Sequence, residues 1–234
     1  PNTAHVWGIF DQNISINQLL ESSYTLCYAA KWYGESKIMF DSIQKSGKQK
    51  MLDSVHKLLD EADAIVHYNG SRFDIPILHK EFLLSGMPPP APSKQIDLLQ
   101  VARRQFRFVS NKLDYVSQAL GLGSKTEHEG HTLWVKCMND DRKAWKTMEE
   151  YNKNDVVLLE KVYDKFKGWI KHHPNHNAYS ASVCCPNCGS NKLQKRGTSI
   201  TTTRHYQRFQ CQQCGTWSRA AKAEQLSKES VISI

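Results

Sequence analysis

Two Cys-x-x-Cys pairs, Cys185-Pro186-Asn187-Cys188-Gly189 and Cys211-Gln212-Gln213-Cys214-Gly215, stand 22 residues apart near the end of a 234-residue chain. Nothing else in the sequence restricts the fold so strongly. Four thiolates in two tight pairs suit the tetrahedral preference of Zn²⁺, and the glycine after each pair lets the turn close. Two disulfides would use the same cysteines. The N-terminus lacks a basic-then-apolar secretory pattern, however, and a reducing compartment disfavours disulfides. Cys185, Cys188, Cys211 and Cys214 are therefore the expected ligands of one structural Zn²⁺. Cys184 adjoins the first pair but gives the wrong spacing, and Cys27 and Cys137 read as ordinary buried thiols.

The charge is concentrated in the same module. From Cys184 onward eight Lys/Arg face two Asp/Glu, so 51 residues hold +6 of the total +8. The first 183 residues hold the remaining +2, from 23 basic and 21 acidic side chains. An excess confined to a small terminal module points to a polyanion, most simply nucleic acid. Residues 183–219 resemble a zinc ribbon. Between its knuckles the sequence alternates Thr, basic and aromatic residues, the pattern of β-hairpin strands carrying phosphate-contacting cations. Lys195, Arg196, Arg204 and Arg208 are the expected nucleic-acid contacts, with Phe209 and Trp217 expected in the module's small core. The three histidines His172, His173 and His176 read as cations at a helix C-terminus rather than as metal ligands.

Ahead of the module the pattern is α/β. Strands are expected over Ala4–Phe10, Tyr24–Tyr33 and Lys37–Phe40, close enough for an antiparallel meander. Met51, Leu52, Val55, Leu58 and Leu59 recur at helical spacing, which predicts a helix over Lys48–Glu61. Ala64-Ile65-Val66 suits a buried strand that ends at the Asn69-Gly70 turn. A helix over Asp74–Ser85 follows and stops at Pro88-Pro89-Pro90. A short strand at Gln95–Leu98, a helix over Asn111–Leu120 capped by Ser110 or Asn111, a polar loop over Gly121–Gly130 and a long helix over Arg142–Lys171 complete the pattern. The expected domains are residues 1–172, a linker over 173–183, the ribbon over 184–219 and a tail over 220–234. No run of about 18 apolar residues is present, so no membrane span is expected.

Two stretches carry the chemistry. Asn69-Gly70-Ser71-Arg72-Phe73-Asp74 places a carboxylate where a buried strand passes into a helix, the edge at which open α/β sheets bind ligands. Tyr151 and Asp155 lie four apart and so share a helix face, where they can act on one point. Read alone, Asp74 could be a helix-start residue, Tyr151 a core residue and Asp155 a solvated charge. Together, Asn69-x-x-x-Phe73-Asp74 and Tyr151-x-x-x-Asp155 resemble the second and third motifs of DEDDy-type 3′–5′ exonucleases. These are DnaQ-like, ribonuclease H-fold enzymes related to the exonuclease domain of family-B DNA polymerases. The stretches Asp97-Leu98-Leu99-Gln100-Val101-Ala102-Arg103 and Asn111-Lys112-Leu113-Asp114 are similar to the segments between those motifs, and the likeness is greatest to phage-type members.

The resemblance implies a ribonuclease H-like mixed sheet with flanking helices and a metal-dependent 3′–5′ exonuclease acting on DNA ends, single strands or 3′ termini. It implies two Mg²⁺ (or Mn²⁺), possible replication partners and a cytoplasmic location, the host cytoplasm for a phage protein. Asp155 would hold the metal that activates water, Tyr151 would orient that water, Asp74 would support the second metal, and Asn69 and Phe73 would line the terminal-nucleotide pocket. The family also uses an Asp-x-Glu pair on its first, central strand, typically followed by Thr-x-Pro-Asn. That pair is absent here, and Pro1-Asn2 resembles the residues just after it, so the expectation is a truncated chain with impaired catalysis. The alternatives are a non-catalytic nucleic-acid-binding protein and an interaction module of a replication complex on the same fold.

Overall fold

The computed structural model describes residues 3–4, 13–127 and 129–224. The chain divides into two compact units, one of residues 1–97 with 110–161, the other of residues 98–109 with 162–234.

In the first unit β1 (Thr3–Ala4) pairs antiparallel with β2 (Leu19–Glu21). The strand expected over Ala4–Phe10 lies almost wholly outside the described residues. Of the expected meander, the second and third strands form an antiparallel pair, β3 (Cys27–Ala30) with β4 (Met39–Ser42). Ser42 then caps the short helix α1 (Ile43–Ser46), its hydroxyl accepting from the Lys45 N–H at 3.1 Å. Gly47, at φ +80°, turns the chain into α2 (Lys48–Glu61), the helix that the apolar spacing predicts to the residue. Its buried face of Met51, Leu52, Val55 and Leu59 packs with Phe82, Ile65 and Leu78.

β5 (Ala64–His67) runs parallel to β6 (Lys94–Asp97), in a register that sets His67 beside Asp97. Parallel neighbours need a crossover, and α3 (Asp74–Leu84) lies in it. The antiparallel and parallel pairs together give the mixed α/β character expected from the sequence.

After β6 come α4 (Leu98–Gln105), α5 (Leu113–Ala119), α6 (His131–Met138) and α7 (Arg142–Phe166). Two of these are not foreseen by the sequence patterns. α4 starts directly on the last residue of a strand with no turn residue between them, and α6 follows Gly130 with no side-chain cap. α6 thus lacks the start signal on which sequence reading depends, and Asp97 ahead of α4 reads as the end of a strand. The cap of α5 falls on Lys112, not Ser110 or Asn111. Asp141 caps α7, its Oδ1 accepting from the Lys143 and Ala144 N–H groups at 2.8 and 3.1 Å. Leu26, Leu133, Cys137, Trp145 and Met148 form a second core cluster of this unit, with Tyr151 packed against it.

The second unit holds the ribbon, an antiparallel sheet of β7 (Leu193–Ile200), β8 (His205–Cys211) and β9 (Trp217–Arg219). Phe106 packs on Phe166 and Trp169, at ring separations of 4.9 and 5.4 Å. The end of α7 is bonded to both knuckles. The Asn187 amide donates to the carbonyls of Lys167 and Ile170 at 2.6 and 2.9 Å, taking up carbonyls left open at the helix end. The Thr216 hydroxyl donates to the Gly168 carbonyl at 3.3 Å. Only glycine fits at 168, because a Cβ there would stand 2.1 Å from the Cys214 carbonyl oxygen. The stretch expected as a linker is tied to the first knuckle as well. The His176 N–H donates to the Pro186 carbonyl at 3.0 Å, and Asn177 exchanges two hydrogen bonds with the Cys184 backbone. These bonds explain why the compact division falls inside α7 and not at residue 172.

Candidate active site

The register of β5 and β6 positions the first group of candidate residues. His67 and Asp97 end neighbouring parallel strands, with side chains about a tenth exposed. His67 Nδ1 accepts from the Gly70 N–H at 3.1 Å, so the neutral ring carries its proton on Nε2 and donates to Gln95 Oε1 at 2.8 Å. The close approach requires glycine, since a Cβ on Gly70 would lie 2.7 Å from His67 Cγ. Asn69 adopts φ +67°, a left-handed conformation that Asn tolerates better than most residues. Its N–H donates to Asp97 Oδ1 at 2.9 Å, and the Ser71 hydroxyl donates to Asp97 Oδ2 at 3.2 Å. Asp97 thus fixes the turn that carries Asn69, Phe73 and Asp74.

Phe73, at the start of α3, is 54% exposed and so is not a core residue. Asp74 occupies the first turn of α3 with its side chain open to solvent. Partial desolvation by the surrounding protein still pushes its carboxyl above the usual range, with Asp97 adding to the rise and His67 opposing it.

The second group of candidate residues sits on α7. Tyr151 and Asp155 face one point, as their spacing predicts, and Lys125 joins them there. The Lys125 ammonium donates to Asp155 Oδ2 at 2.5 Å and to the Tyr151 hydroxyl at 3.3 Å. Burial pulls the ammonium down, but the Asp155 carboxylate outweighs it and holds Lys125 above its ordinary value. Burial, with Asp155 beside it, pushes the Tyr151 phenol up, so it stays protonated at neutral pH. Asp155 Oδ1 is buried and has no hydrogen-bond partner among the described residues. Leaving such an oxygen unmatched costs on the order of 1–3 kcal/mol. A hard cation, which takes oxygen ligands, answers that deficit.

The polar loop over 121–130 delivers Lys125. The Lys125 N–H donates to Asp114 Oδ1 at 2.8 Å, Asn154 Nδ2 to the Ser124 carbonyl at 3.1 Å, and Lys161 to the Leu122 carbonyl at 3.3 Å. Asp114, Gln118 and residues 124–127 line a cavity of about 280 Å³ there. Lys125, His67 and Asp97 are absent from the sequence-derived site. A lone lysine in a polar loop carries no local signal, and a strand-end aspartate declares itself only through its neighbour across the sheet.

The cysteines come together in the second unit. Cys185, Cys188, Cys211 and Cys214 offer Sγ atoms all within 4.8 Å of one another, the one such group of three or more His, Cys, Asp or Glu among the described residues. The Cys185–Cys214 and Cys188–Cys211 Sγ pairs are 3.6 and 3.7 Å apart. Zn–S bonds of about 2.3 Å in a tetrahedron give edges of about 3.8 Å, whereas a disulfide needs about 2.05 Å. The donor set therefore fits Zn²⁺, with Cys185 and not Cys184 in the group. Burial pushes the thiols of Cys27 and Cys137 up to about 12 and about 11, as inert core thiols require.

Of the basic residues expected to contact nucleic acid, Arg196 and Arg208 are exposed on one face of the ribbon, Lys195 stands opposite Phe209 in the sheet, and Arg204 is exposed in the β7–β8 turn. Trp217 departs from expectation. It is 50% exposed beside Arg208, whereas a core position was expected. Trp217 lies on β9, which pairs with one strand only and so forms an edge of the sheet.

Residues 21–167 match the family model of the RNase H superfamily. The chain belongs to the RNase H superfamily. No curated protein matches it. Membership supports a nuclease-type function, nucleic-acid binding and the use of divalent cations by this RNase H-like domain. No helix among the described residues is long and apolar enough to cross a membrane.

Proposed function

We propose that this RNase H-like chain is a metal-dependent 3′–5′ exonuclease that hydrolyses phosphodiester bonds at DNA ends, with the zinc ribbon assisting nucleic-acid binding. The observation that carries the reading is the buried, unmatched Oδ1 of Asp155, on the helix face that also carries Tyr151, with Lys125 reaching both residues from the loop before α6. Asp155 and Asp74 are the carboxylates that would hold Mg²⁺ or Mn²⁺. Such cations supply charge stabilisation to the attacking and leaving oxygens. The protonated Tyr151 hydroxyl orients the attacking water. Lys125 pairs with Asp155, and it is placed to trade that ion pair for a phosphate oxygen. Exposed Phe73 offers its ring to the terminal base, and Asn69 lines the same turn.

A second reading, a nucleic-acid-binding protein without catalysis, is favoured by one observation. Asp74 and Asp155 belong to no larger carboxylate group among the described residues. With two carboxylates in place of four, residues 1–234 are expected to cleave feebly. The decisive measurement is single-turnover degradation of a 3′-labelled oligonucleotide by the chain preceded by an apolar strand ending in Asp-x-Glu. Asp155→Asn is expected to lower its rate by about a hundredfold or more, the scale of losing one electrostatic stabiliser, with DNA binding nearly unchanged. Equal rates for Asp155→Asn and its parent would refute the assignment.

A further inference from the structure

The ribbon sheet presents one face made of guanidinium groups and aromatic rings. Gln194, Gln210 and Trp217 form one cross-strand row, and Arg208 stands opposite Arg219, so these side chains share a face. Arg196 joins them, its Nη1 donating to Gln210 Oε1 at 2.5 Å. The arginines lie against the rings. The guanidinium carbon of Arg208 is 4.8 Å from the Trp217 ring centre, that of Arg196 is 5.8 Å from it, and that of Arg219 is 3.8 Å from the Tyr206 ring centre. Arg208 Nε also donates to the Arg196 carbonyl at 3.0 Å. Each guanidinium is thus held as an oriented plane, and little rotamer freedom remains to be lost on binding.

The charge on this face is not neutralised from within. Residues 184–223 contain no Asp or Glu, and no ion pair engages Arg196, Arg208 or Arg219 among the described residues. All three arginines and Trp217 are exposed. A surface built for a protein partner would bury its aromatic centre and deplete charge around it; here the charge surrounds the ring.

We infer that this face binds single-stranded nucleic acid, with an unpaired base stacking on Trp217 and phosphates on Arg196, Arg208 and Arg219. Complementarity of charge selects the polyanion. The flat sheet and open ring select the single strand. A duplex conceals its base faces within the stack, whereas an unpaired base of any identity has a face to stack on an exposed ring. The inference rests on the proposed function only for the partner's class, and it extends it by assigning the ribbon a strand-holding face with its own residues.

Binding is measured by fluorescence anisotropy on the full zinc-loaded chain, with no Mg²⁺ or Mn²⁺ added so that nothing is cleaved. The probes are labelled oligothymidylate and a hairpin duplex. Trp217→Ala is expected to weaken oligothymidylate binding by about tenfold, Trp217→Phe to restore most of it, and the duplex to be affected far less. Arg208→Gln and Arg219→Gln are expected to flatten the slope of log affinity against log salt by about 0.7 per phosphate contact removed. Unchanged oligothymidylate binding in Trp217→Ala, or an equal loss on both probes, overturns the inference. If Trp217→Ala loses its zinc, the two arginine variants decide, and an unaltered affinity and salt slope in both overturns it. These outcomes are separate from cleavage. A chain that degrades DNA but binds through another surface leaves the exonuclease reading standing, and a chain whose Asp155→Asn variant cleaves normally leaves this face standing.

Discussion

At the scale of single residues, legibility follows the range of the interaction. That Tyr151 and Asp155 face one point could be read from the sequence, because the two lie about one helical turn apart. His67, Asp97 and Lys125 could not, because their partners arrive through strand register or a loop 26 to 30 residues away. Gly168 is a further case. It lies in the expected final helix, where glycine reads merely as a weak helix former. Its purpose is the approach of the Cys214 carbonyl, which a Cβ would meet at 2.1 Å. Backbone cannot yield there as a flexible side chain would, so overpacking of about 1–3 kcal/mol is expected. Gly168→Ala is therefore expected to lower the melting temperature and to speed zinc loss to a colorimetric chelator. Parent-like values in both measurements would show that the knuckle shifts freely.

At the scale of elements, α2 was legible because its apolar spacing is unbroken, and β5 because Ala64-Ile65-Val66 is bounded by turn residues. α4 and α6 were not: each is eight residues long, α4 following a strand directly and α6 starting without a capping side chain. The loop between α5 and α6 shows how elements compensate for a weak local pattern. α5 anchors it through Asp114, whose carboxyl is held below the usual range by the Lys125 backbone N–H and then by the Gln118 amide. A carboxyl lowered in the folded state contributes stability fully above its unfolded value, about 3.9, and loses it as pH falls through the lower folded value. Asp114→Ala should accordingly melt earlier than the parent at neutral pH, and the difference should close as pH falls through the acid range. It should also slow cleavage in the Asp-x-Glu-extended chain, since Lys125 would lose its anchor. A melting difference that persists unchanged below both carboxyl values would argue that packing, not this charge, holds the loop.

At the scale of the whole molecule, contacts between residues far apart in sequence set the membership of the two compact units. Local patterns cannot reveal that residues 98–109 belong with residues 162–234, because Phe106 and Phe166 are some 60 positions apart and meet only through the fold. The division has an energetic consequence. The first unit has two core clusters of its own, whereas the ribbon has three strands, few apolar side chains and four gathered thiols. For such a module the free energy of binding zinc is in large part its free energy of folding. Stripping zinc with a thiol-reactive mercurial is expected to release one equivalent per chain. Amide protection should then fall across β7, β8 and β9 and in the 173–190 stretch bonded to the first knuckle. Protection in α2 and β5 should persist. Single-strand binding should fall with the ribbon, because its arginine and aromatic face exists only while the sheet does. Hydrogen exchange followed by mass spectrometry reads all of these at once, and uniform loss of protection along the chain would show that the two units fold as one.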